Sequence, residues 1–205
     1  MKLVLVGWIF LLGACTQNNS PNEAQVSRES SKIKITTTVN MVSDLIRQIG
    51  AWHVEVVEIM GPGVDPHLYK ASANDVVKLQ EADAIFYVGL LLEGKMEEVL
   101  GKLKDGGKPV YAVTENIDAD RLLKPDEFEG HFDPHIWFEV LLWKETIDVV
   151  VSSLVKLDPA NKFDYEANGK TAKAKMDELQ QWAEAKVAEI PLQKRILVTS
   201  HDAYN

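Results

Sequence analysis

From about residue 32, short β-branched and apolar runs alternate with segments in which apolar residues recur every three or four positions. This alternation predicts parallel β-strands flanked by helices, an α/β fold. The strand-like runs are 32–39, 54–60, 84–89 and 109–114. The helix-like segments begin after Asn40 and after Ser72, both predicted N-cap residues. Two further helices are predicted over 93–106 and from about Leu141 to Leu157, where the first unit closes.

A longer helical pattern follows Asp158 and Pro159, which are predicted as the N-cap and the first helical position. Its apolar face consists of Ala172, Met176, Leu179, Ala183 and Val187. Gly169 weakens the pattern, because glycine costs about 1 kcal/mol relative to alanine inside a helix. A continuous helix to Glu189 would be about 45 Å long at about 1.5 Å per residue. We therefore predict a rigid helix over 158–189 that links two lobes.

The sequence after Pro191 predicts the beginning of a second lobe. The run 195–200 is typical of a strand and leads directly to His201, and the sequence ends four residues later. A strand requires hydrogen-bonded neighbours, which this remaining length does not supply. We therefore expect residues 32–157 to form an N-terminal α/β lobe and 190–205 to be the start of a C-terminal lobe that is largely absent from this chain.

The N-terminal segment predicts export. Lys2 precedes the apolar run 3–12, which is long enough for a signal peptide and too short to span a bilayer. The run ends in Leu-Gly-Ala-Cys, which resembles the lipobox of bacterial lipoproteins and implies a lipidated Cys15 as the new N-terminus. The alternative is that Cys15, the only cysteine, is a buried apolar residue. The polar stretch 16–31 is predicted to be a flexible tether.

Composition excludes one class of partner. The chain of 205 residues has a net charge of −9, which argues against nucleic acid as a partner because phosphates attract basic surfaces. Its 46% hydrophobic and 26% charged residues are ordinary for a globular protein with a core. An acidic surface favours a cationic ligand only weakly, so the nature of the ligand must come from individual residues.

The phrase Asp-Pro-His-aliphatic-aromatic occurs twice, at 65–69 and at 133–137. It places His67 after the second predicted strand and His135 after the fourth, while His201 follows the last predicted strand. Ligands of open α/β sheets bind beyond the carboxyl ends of the strands, so these three imidazoles are predicted to converge in space.

Neighbouring residues support this interpretation, and an ordinary alternative remains. Each proline fixes the backbone before its histidine, and Asp65 and Asp133 are predicted to orient the loops or the rings. The alternative is that each histidine is a surface or hydrogen-bonded residue. We apply that alternative to His53 and His131, which do not occupy equivalent positions.

Four motifs carry a resemblance that runs from about residue 32 to the end: GPGVDPHLYKASANDV, GLLLEGKM, HFDPHIWFEVLLWK and LVTSHDAYN. In order and spacing they resemble the signatures of bacterial zinc/manganese ABC-transporter solute-binding proteins. The resemblance implies a two-lobed protein with a long linking helix and a metal between the lobes. His67 and His135 would come from the first lobe and His201 from the second. A fourth ligand, usually an aspartate, would lie beyond this chain.

The resemblance also implies function and location. We expect the protein to capture a divalent metal outside the cell, to be anchored to the membrane by its lipid and to deliver the metal to a membrane permease as a monomer. Imidazoles suit Zn²⁺, whereas Mn²⁺ prefers more carboxylates, so zinc is favoured and manganese is the alternative. One departure is Val88-Gly89-Leu90-Leu91, where the family often has Asn-Gly-Leu-His.

Another class of function remains open from the residues alone. Three histidines with an open coordination position also suit a zinc hydrolase. Glu139 is the nearest acidic candidate after His135, although a glutamate there also suits a solvent-exposed helix start. The chain has no H-E-x-x-H motif. We therefore predict a binding protein and not an enzyme. Some relatives are called adhesins, a role that the sequence does not test.

Overall fold

The central element is a parallel sheet. The computed structural model describes residues 32–128, 130–199 and 203–204. Within these residues, four strands pair in the order β2-β1-β3-β4, all parallel. They are β1 (Ile33–Thr37), β2 (Val54–Glu58), β3 (Ala84–Tyr87) and β4 (Val110–Ala112). The predicted α/β fold is confirmed, and each predicted strand of the first unit is present in a shorter form.

Five helices of the described chain surround or follow this sheet. They are α1 (Asn40–Gly50), α2 (Ala73–Glu81), α3 (Met96–Asp105), α4 (Val140–Leu157) and α5 (Lys162–Ala188). Because β2 lies on one side of β1 and β3 on the other, the winding direction of the chain reverses between β1 and β3. The crevice at the carboxyl ends of these two strands is the usual ligand site of open α/β sheets.

The core forms around the two inner strands. Ile35 of β1 and Ala84, Ile85 and Phe86 of β3 are fully buried. Helix α1 contributes an apolar face to the same core, made of Val42, Leu45, Ile46 and Ile49. Fully burying one such aliphatic side chain stabilises the fold by about 1.5–3 kcal/mol. The sheet is therefore a firm base for the loops that leave its carboxyl edge.

The two predicted N-caps differ in outcome. Ser72 is confirmed as a cap: its Oγ accepts the Asp75 backbone N–H at 3.2 Å, and the Asp75 carboxylate accepts the Ser72 N–H at 2.9 Å. Asn40 is wrong as a cap, because Val39 holds that position with an extended backbone. The Val39 carbonyl already accepts the Ser43 N–H at 3.1 Å, so the helical hydrogen bonding starts one residue earlier.

The helix predicted over 158–189 is present, and Asp158 and Pro159 hold the N-cap and the first position of its opening turn, as predicted. Pro159–Asn161 form a 3₁₀ turn, and the α-helix proper begins at Lys162. The Asp158 carboxylate is held mainly by side chains. It accepts hydrogen bonds from Asn161 Nδ2 at 2.6 Å and from the Tyr165 hydroxyl at 2.7 Å. Helix α5 passes through Gly169 without a break.

The predicted apolar face of α5 is packed only in its first half. Tyr165, Gly169 and Ala172 are buried, whereas Leu179 is 45% exposed and Val187 is 48% exposed. At Gly169 an added Cβ would lie 2.4 Å from Cγ2 of Val151 in α4. The glycine that weakens the helix in sequence terms is therefore the residue that lets the two helices approach closely.

The strand predicted over 195–200 is wrong for the residues that the structure describes. Residues 195–199 have no strand assignment, and Ile196, Leu197 and Val198 are 79%, 71% and 86% exposed. A strand exists only with a hydrogen-bonded neighbour, and the four described strands pair only with one another.

Some predictions fall elsewhere in the chain. The signal segment, Cys15, the tether 16–31 and His201 lie outside the described residues. Across the part that is described, the helices are too short or too polar to cross a bilayer.

Candidate metal centre

The two Asp-Pro-His phrases fold in the same way. The backbone N–H of His67 donates to Asp65 Oδ1 at 2.9 Å, and that of His135 donates to Asp133 Oδ1 at 2.9 Å. In each phrase the aspartate closes a turn across the proline, which has no N–H of its own. Both copies of the phrase therefore fix the backbone of a histidine through the same hydrogen bond.

His135 is buried and contacts both Asp133 and Trp137. It is 3% exposed and Asp133 is 2% exposed, and the ring Nδ1 lies 2.6 Å from Asp133 Oδ1. The Trp137 ring packs edge-on with its centroid 5.3 Å from that of the imidazole. An ionised carboxylate only accepts hydrogen bonds, so it favours the tautomer with the proton on Nδ1. In that tautomer Nε2 is the nitrogen that can coordinate a metal, as in the usual carboxylate-histidine arrangement.

His67 and His135 face each other through the same type of nitrogen. Their Nε2 atoms are 3.2 Å apart, and their ring centroids are 5.2 Å apart. Two nitrogens bound to one tetrahedral zinc at about 2.0–2.1 Å would be separated by about 3.3–3.4 Å. The observed spacing therefore fits two ligands of a single metal ion. Loops after β2 and β4, far apart in sequence, supply the two rings.

The histidine pair borders a cavity of about 660 Å³. Asp65, His67, His135, Trp137 and Phe138 line it, together with Val198, Thr199, Ala203 and Tyr204. The rings of Phe138 and Tyr204 are in contact, with centroids 4.3 Å apart. His201 is not described, but residues on both sides of it in the sequence, Thr199 and Ala203, line this cavity. Among the described residues, no group of three His, Cys, Asp or Glu side chains is placed to hold a metal.

Comparison with known proteins assigns the family. Residues 35–205 match the model of ZnuA, described as zinc-uptake complex component A, periplasmic. The chain belongs to the ZnuA family. It is 38% identical over 204 residues to the manganese-binding lipoprotein MntA of Bacillus subtilis, a match that covers 100% of this chain and 64% of MntA.

Solved structures of ZnuA-family relatives have the same fold. The periplasmic zinc-binding protein TroA of Treponema pallidum superposes with a TM-score of 0.80 at 41% identity, over 84% of this chain and 61% of that one. Fe(III)-bound YtgA of Chlamydia trachomatis gives a TM-score of 0.75 at 26% identity, over 84% of this chain and 60% of its own. The chain thus spans less than two thirds of the length of these relatives.

The two histidines set aside from sequence lie elsewhere. Neither His53 nor His131 is among the described residues that line the cavity. His53 Nε2 is 2.8 Å from Asp164 Oδ2, a contact that joins the start of α5 to the turn before β2. His131 is exposed, and its backbone N–H donates to the Phe128 carbonyl at 2.8 Å. The choice of His67, His135 and His201 as the metal ligands remains a prediction, with two of the three now adjacent.

Glu139 has a structural role. Its carboxylate accepts the backbone N–H groups of Leu141 at 3.3 Å and Leu142 at 2.6 Å, and so caps α4. This is the helix-start role considered for it from the sequence. The hydrolase alternative, in which Glu139 would act on a metal-bound water, gains no support from this arrangement.

Sequence reasoning missed two kinds of site residue. The first is the aromatic wall of Trp137, Phe138 and Tyr204. Trp137 belongs to the repeated phrase, but the phrase did not reveal its role. Its counterpart Tyr69 instead donates a hydrogen bond to Asp75. The second is Glu93, which is fully buried at the carboxyl ends of β1 and β3. A lone acid directly after an apolar run was the available signal for it.

Proposed function

We propose that the protein captures a divalent metal ion outside the cytoplasmic membrane and delivers it to the permease of an ABC transporter. The observation that carries this proposal is the pair of Nε2 atoms 3.2 Å apart, with Asp133 on the far side of the His135 ring. That arrangement places the two Nε2 atoms at about the separation of two ligands of one ion. Membership of the ZnuA family supports the transport role.

Zinc is the proposed cargo, with manganese as the alternative. Names of relatives do not agree on a metal: MntA is manganese-binding, TroA zinc-binding, and MtsA of Streptococcus pyogenes belongs to an iron transporter. The donors proposed here, His67, His135 and His201, are imidazoles, which suit Zn²⁺ better than Mn²⁺. The position of His201 between Thr199 and Ala203, which line the cavity, supports its inclusion.

The proposal includes a lipid anchor at Cys15 and two lobes joined by α5. The anchor is supported by the Leu-Gly-Ala-Cys sequence after the apolar run and by relatives named as lipoproteins, including MntA and SsaB of Streptococcus sanguinis. The mass of the exported protein tests it: a modified Cys15 as first residue supports the anchor, and retention of residues 1–14 contradicts it. The two-lobed arrangement is supported by the greater length of the relatives.

Zinc titration of five single variants tests the function. We expect His67→Ala, His135→Ala and His201→Ala to weaken zinc binding by about 100-fold or more, because each removes a metal bond, and even outer partners are worth about 10–100-fold. His53→Ala and His131→Ala are the matched controls and should bind as the wild type does. Calorimetry on the full-length protein, with its second lobe and without residues 1–15, provides the measurement, and a parallel manganese titration should give weaker binding. In the 205-residue chain the losses should be smaller.

The possible failures of this experiment are distinct. If His131→Ala loses as much affinity as His135→Ala, the site has been assigned to the wrong residues. If none of the five variants loses affinity, metal binding at this cavity is rejected. Tighter binding of manganese than of zinc would reject the choice of cargo and leave the site intact.

A further inference from the structure

The turn between β3 and α3 has an unusual backbone. Gly89, Leu90 and Leu91 have successive φ values of 90°, 56° and 65°, and Gly94 follows with 49°. A leucine in the left-handed region costs about 1–2 kcal/mol, so two adjacent ones persist only where surrounding contacts impose them. The turn closes with Leu92 N–H donating to the Gly89 carbonyl and Gly94 N–H donating to the Leu91 carbonyl.

Glu93 supplies the contacts that hold this turn. Its carboxylate accepts the Val88 N–H at 2.8 Å, the Gly89 N–H at 3.1 Å and the Thr38 hydroxyl at 2.7 Å. Thr38 follows β1 and Val88 follows β3, so one fully buried side chain ties the turn to the ends of both inner strands. Hydrogen bonds to a carboxylate out of contact with water are among the stronger ones in proteins.

The far end of the turn lies against a proposed metal ligand. A Cβ added to Gly94 would be 2.6 Å from the carbonyl oxygen of His67 and 3.8 Å from its Cα. The first distance is too short for a real contact, and the obstructing atom belongs to the backbone, so it cannot rotate away. The His67 backbone is therefore bounded by Asp65 on its own loop and by Gly94 across the crevice.

We propose that Glu93 and Gly94 are positioning residues for His67, and that the left-handed turn 89–94 serves as a rigid support that sets the distance between the His67 and His135 rings. This rests on the proposed function. Ligands placed before the metal arrives spare the cost of ordering them during binding. Backbone strain such as that of Leu90 and Leu91 is common where a turn is held rigidly at a functional site.

Replacing Gly94 with alanine tests the support directly. The new methyl group must push the His67 backbone away, so Gly94→Ala is expected to weaken zinc binding by about 10–100-fold, the range typical of lost outer partners. Nitrogen chemical shifts of the imidazoles provide the readout that a general loss of stability would not change. The His67 ring signals should move, and the Nδ1 signal of His135, which is fixed by Asp133 on the side away from His67, should move much less.

Gly107→Ala is the matched control. Gly107 also has a positive φ, of 89°, but a Cβ there would meet nothing within 4 Å. This variant therefore carries the backbone strain of an alanine in the left-handed region without any contact with His67. It should lower the melting temperature, as Gly94→Ala does, and leave both the zinc affinity and the histidine signals unchanged. An equal loss of affinity in Gly107→Ala would overturn the proposal.

Two further variants complete the design. Glu93→Gln keeps the side-chain size, but its amide nitrogen cannot accept the Gly89 N–H, so zinc affinity should fall and the His67 signals should move; this variant decides the question if Gly94→Ala does not fold. Wild-type affinity in both Gly94→Ala and Glu93→Gln, together with a loss of affinity in His67→Ala, would overturn the positioning role alone. Unchanged affinity in His67→Ala would instead overturn the proposed function and this inference with it.

Discussion

At the scale of single residues, three carboxylates hold the backbone around the histidine pair. Asp65 and Asp133 each accept the N–H of the histidine two positions on, and Glu93 accepts two N–H groups of the turn beside His67. Asp133 Oδ1 also lies 2.6 Å from the His135 ring Nδ1. The His135 ring is therefore oriented from the side opposite the proposed metal, whereas the carboxylates near His67 fix its backbone.

Glu93 should make stability depend on pH. Burial raises its pKa to about 7, from 4.5 for an ordinary glutamate, with a smaller contribution from the nearby Glu97 carboxylate and an opposing one from its three hydrogen bonds. Between those two values the folded state holds a proton that the unfolded state has lost. A rise in pH through this window therefore destabilises the fold.

The Glu93→Gln variant removes this titration. Relative to the wild type, its free energy of unfolding should increase from pH 5 to pH 8 by an amount on the order of 3 kcal/mol. Urea unfolding at several pH values, with a chelator present, measures the difference. Glu98→Gln is a suitable control because Glu98 is solvent-exposed and pairs with Lys102 at the surface. Parallel pH profiles for the wild type and Glu93→Gln would contradict the prediction.

At the scale of elements, the sequence predicted the features that depend on local pattern or on the position of strand ends. It missed individual side-chain contacts between residues that are distant in sequence. The alternating runs of β1 to β4 and the Ser72 cap were read correctly, because hydrophobic period and capping chemistry act within a few residues. The convergence of His67 and His135 followed from strand ends meeting at one edge. Glu93 was missed because the sequence shows neither the left-handed turn around Gly89, Leu90 and Leu91 nor the contact with Thr38, which is distant in sequence.

Gly169 in α5 also makes a contact that the sequence does not reveal. By propensity alone it is a weak point of α5, yet its missing side chain is what allows α4 to pack at that level, where Val151 faces it. Val151 is β-branched and therefore has little rotamer freedom in a helix. The sequence carries no local sign of this contact, since the two residues are in different helices.

Two glycine-to-alanine changes should therefore have opposite effects on the free energy of unfolding. Gly169→Ala would place a Cβ 2.4 Å from Val151 Cγ2, so we expect a net loss of about 1 kcal/mol or more despite better helix propensity. Gly101→Ala, in α3 with nothing within 4 Å, should gain about 0.5–1 kcal/mol. Thermal and urea unfolding measure both. Adding Val151→Ala to Gly169→Ala should recover part of the loss; stabilisation by Gly169→Ala alone would contradict this account.

At the scale of the whole molecule, burial is concentrated around the sheet and decreases along α5. The first half of α5 packs against α1 and α4, whereas Trp182 and Ile190 are 61% and 43% exposed. Beyond them Ile196 to Val198 form an apolar run with neither burial nor strand pairing. The chain nevertheless returns to the cavity at Thr199 and Ala203. The proposed metal would thus join the sheet unit to the segment that contains Thr199 and Ala203.

Hydrogen exchange with and without zinc tests this coupling. Without metal, the amides of residues 196–199 should exchange at nearly the rate of an unstructured peptide, because none is paired in a described strand, while those of Ile35 and Phe86 should be slow. Zinc bound by His67, His135 and His201 would fix the segment at one point, so exchange at Thr199 and Tyr204 should slow markedly. His201→Ala should abolish that slowing, and His53→Ala should retain it. Slow exchange at residues 196–199 before zinc is added would show that the run is already paired, against this view of the molecule.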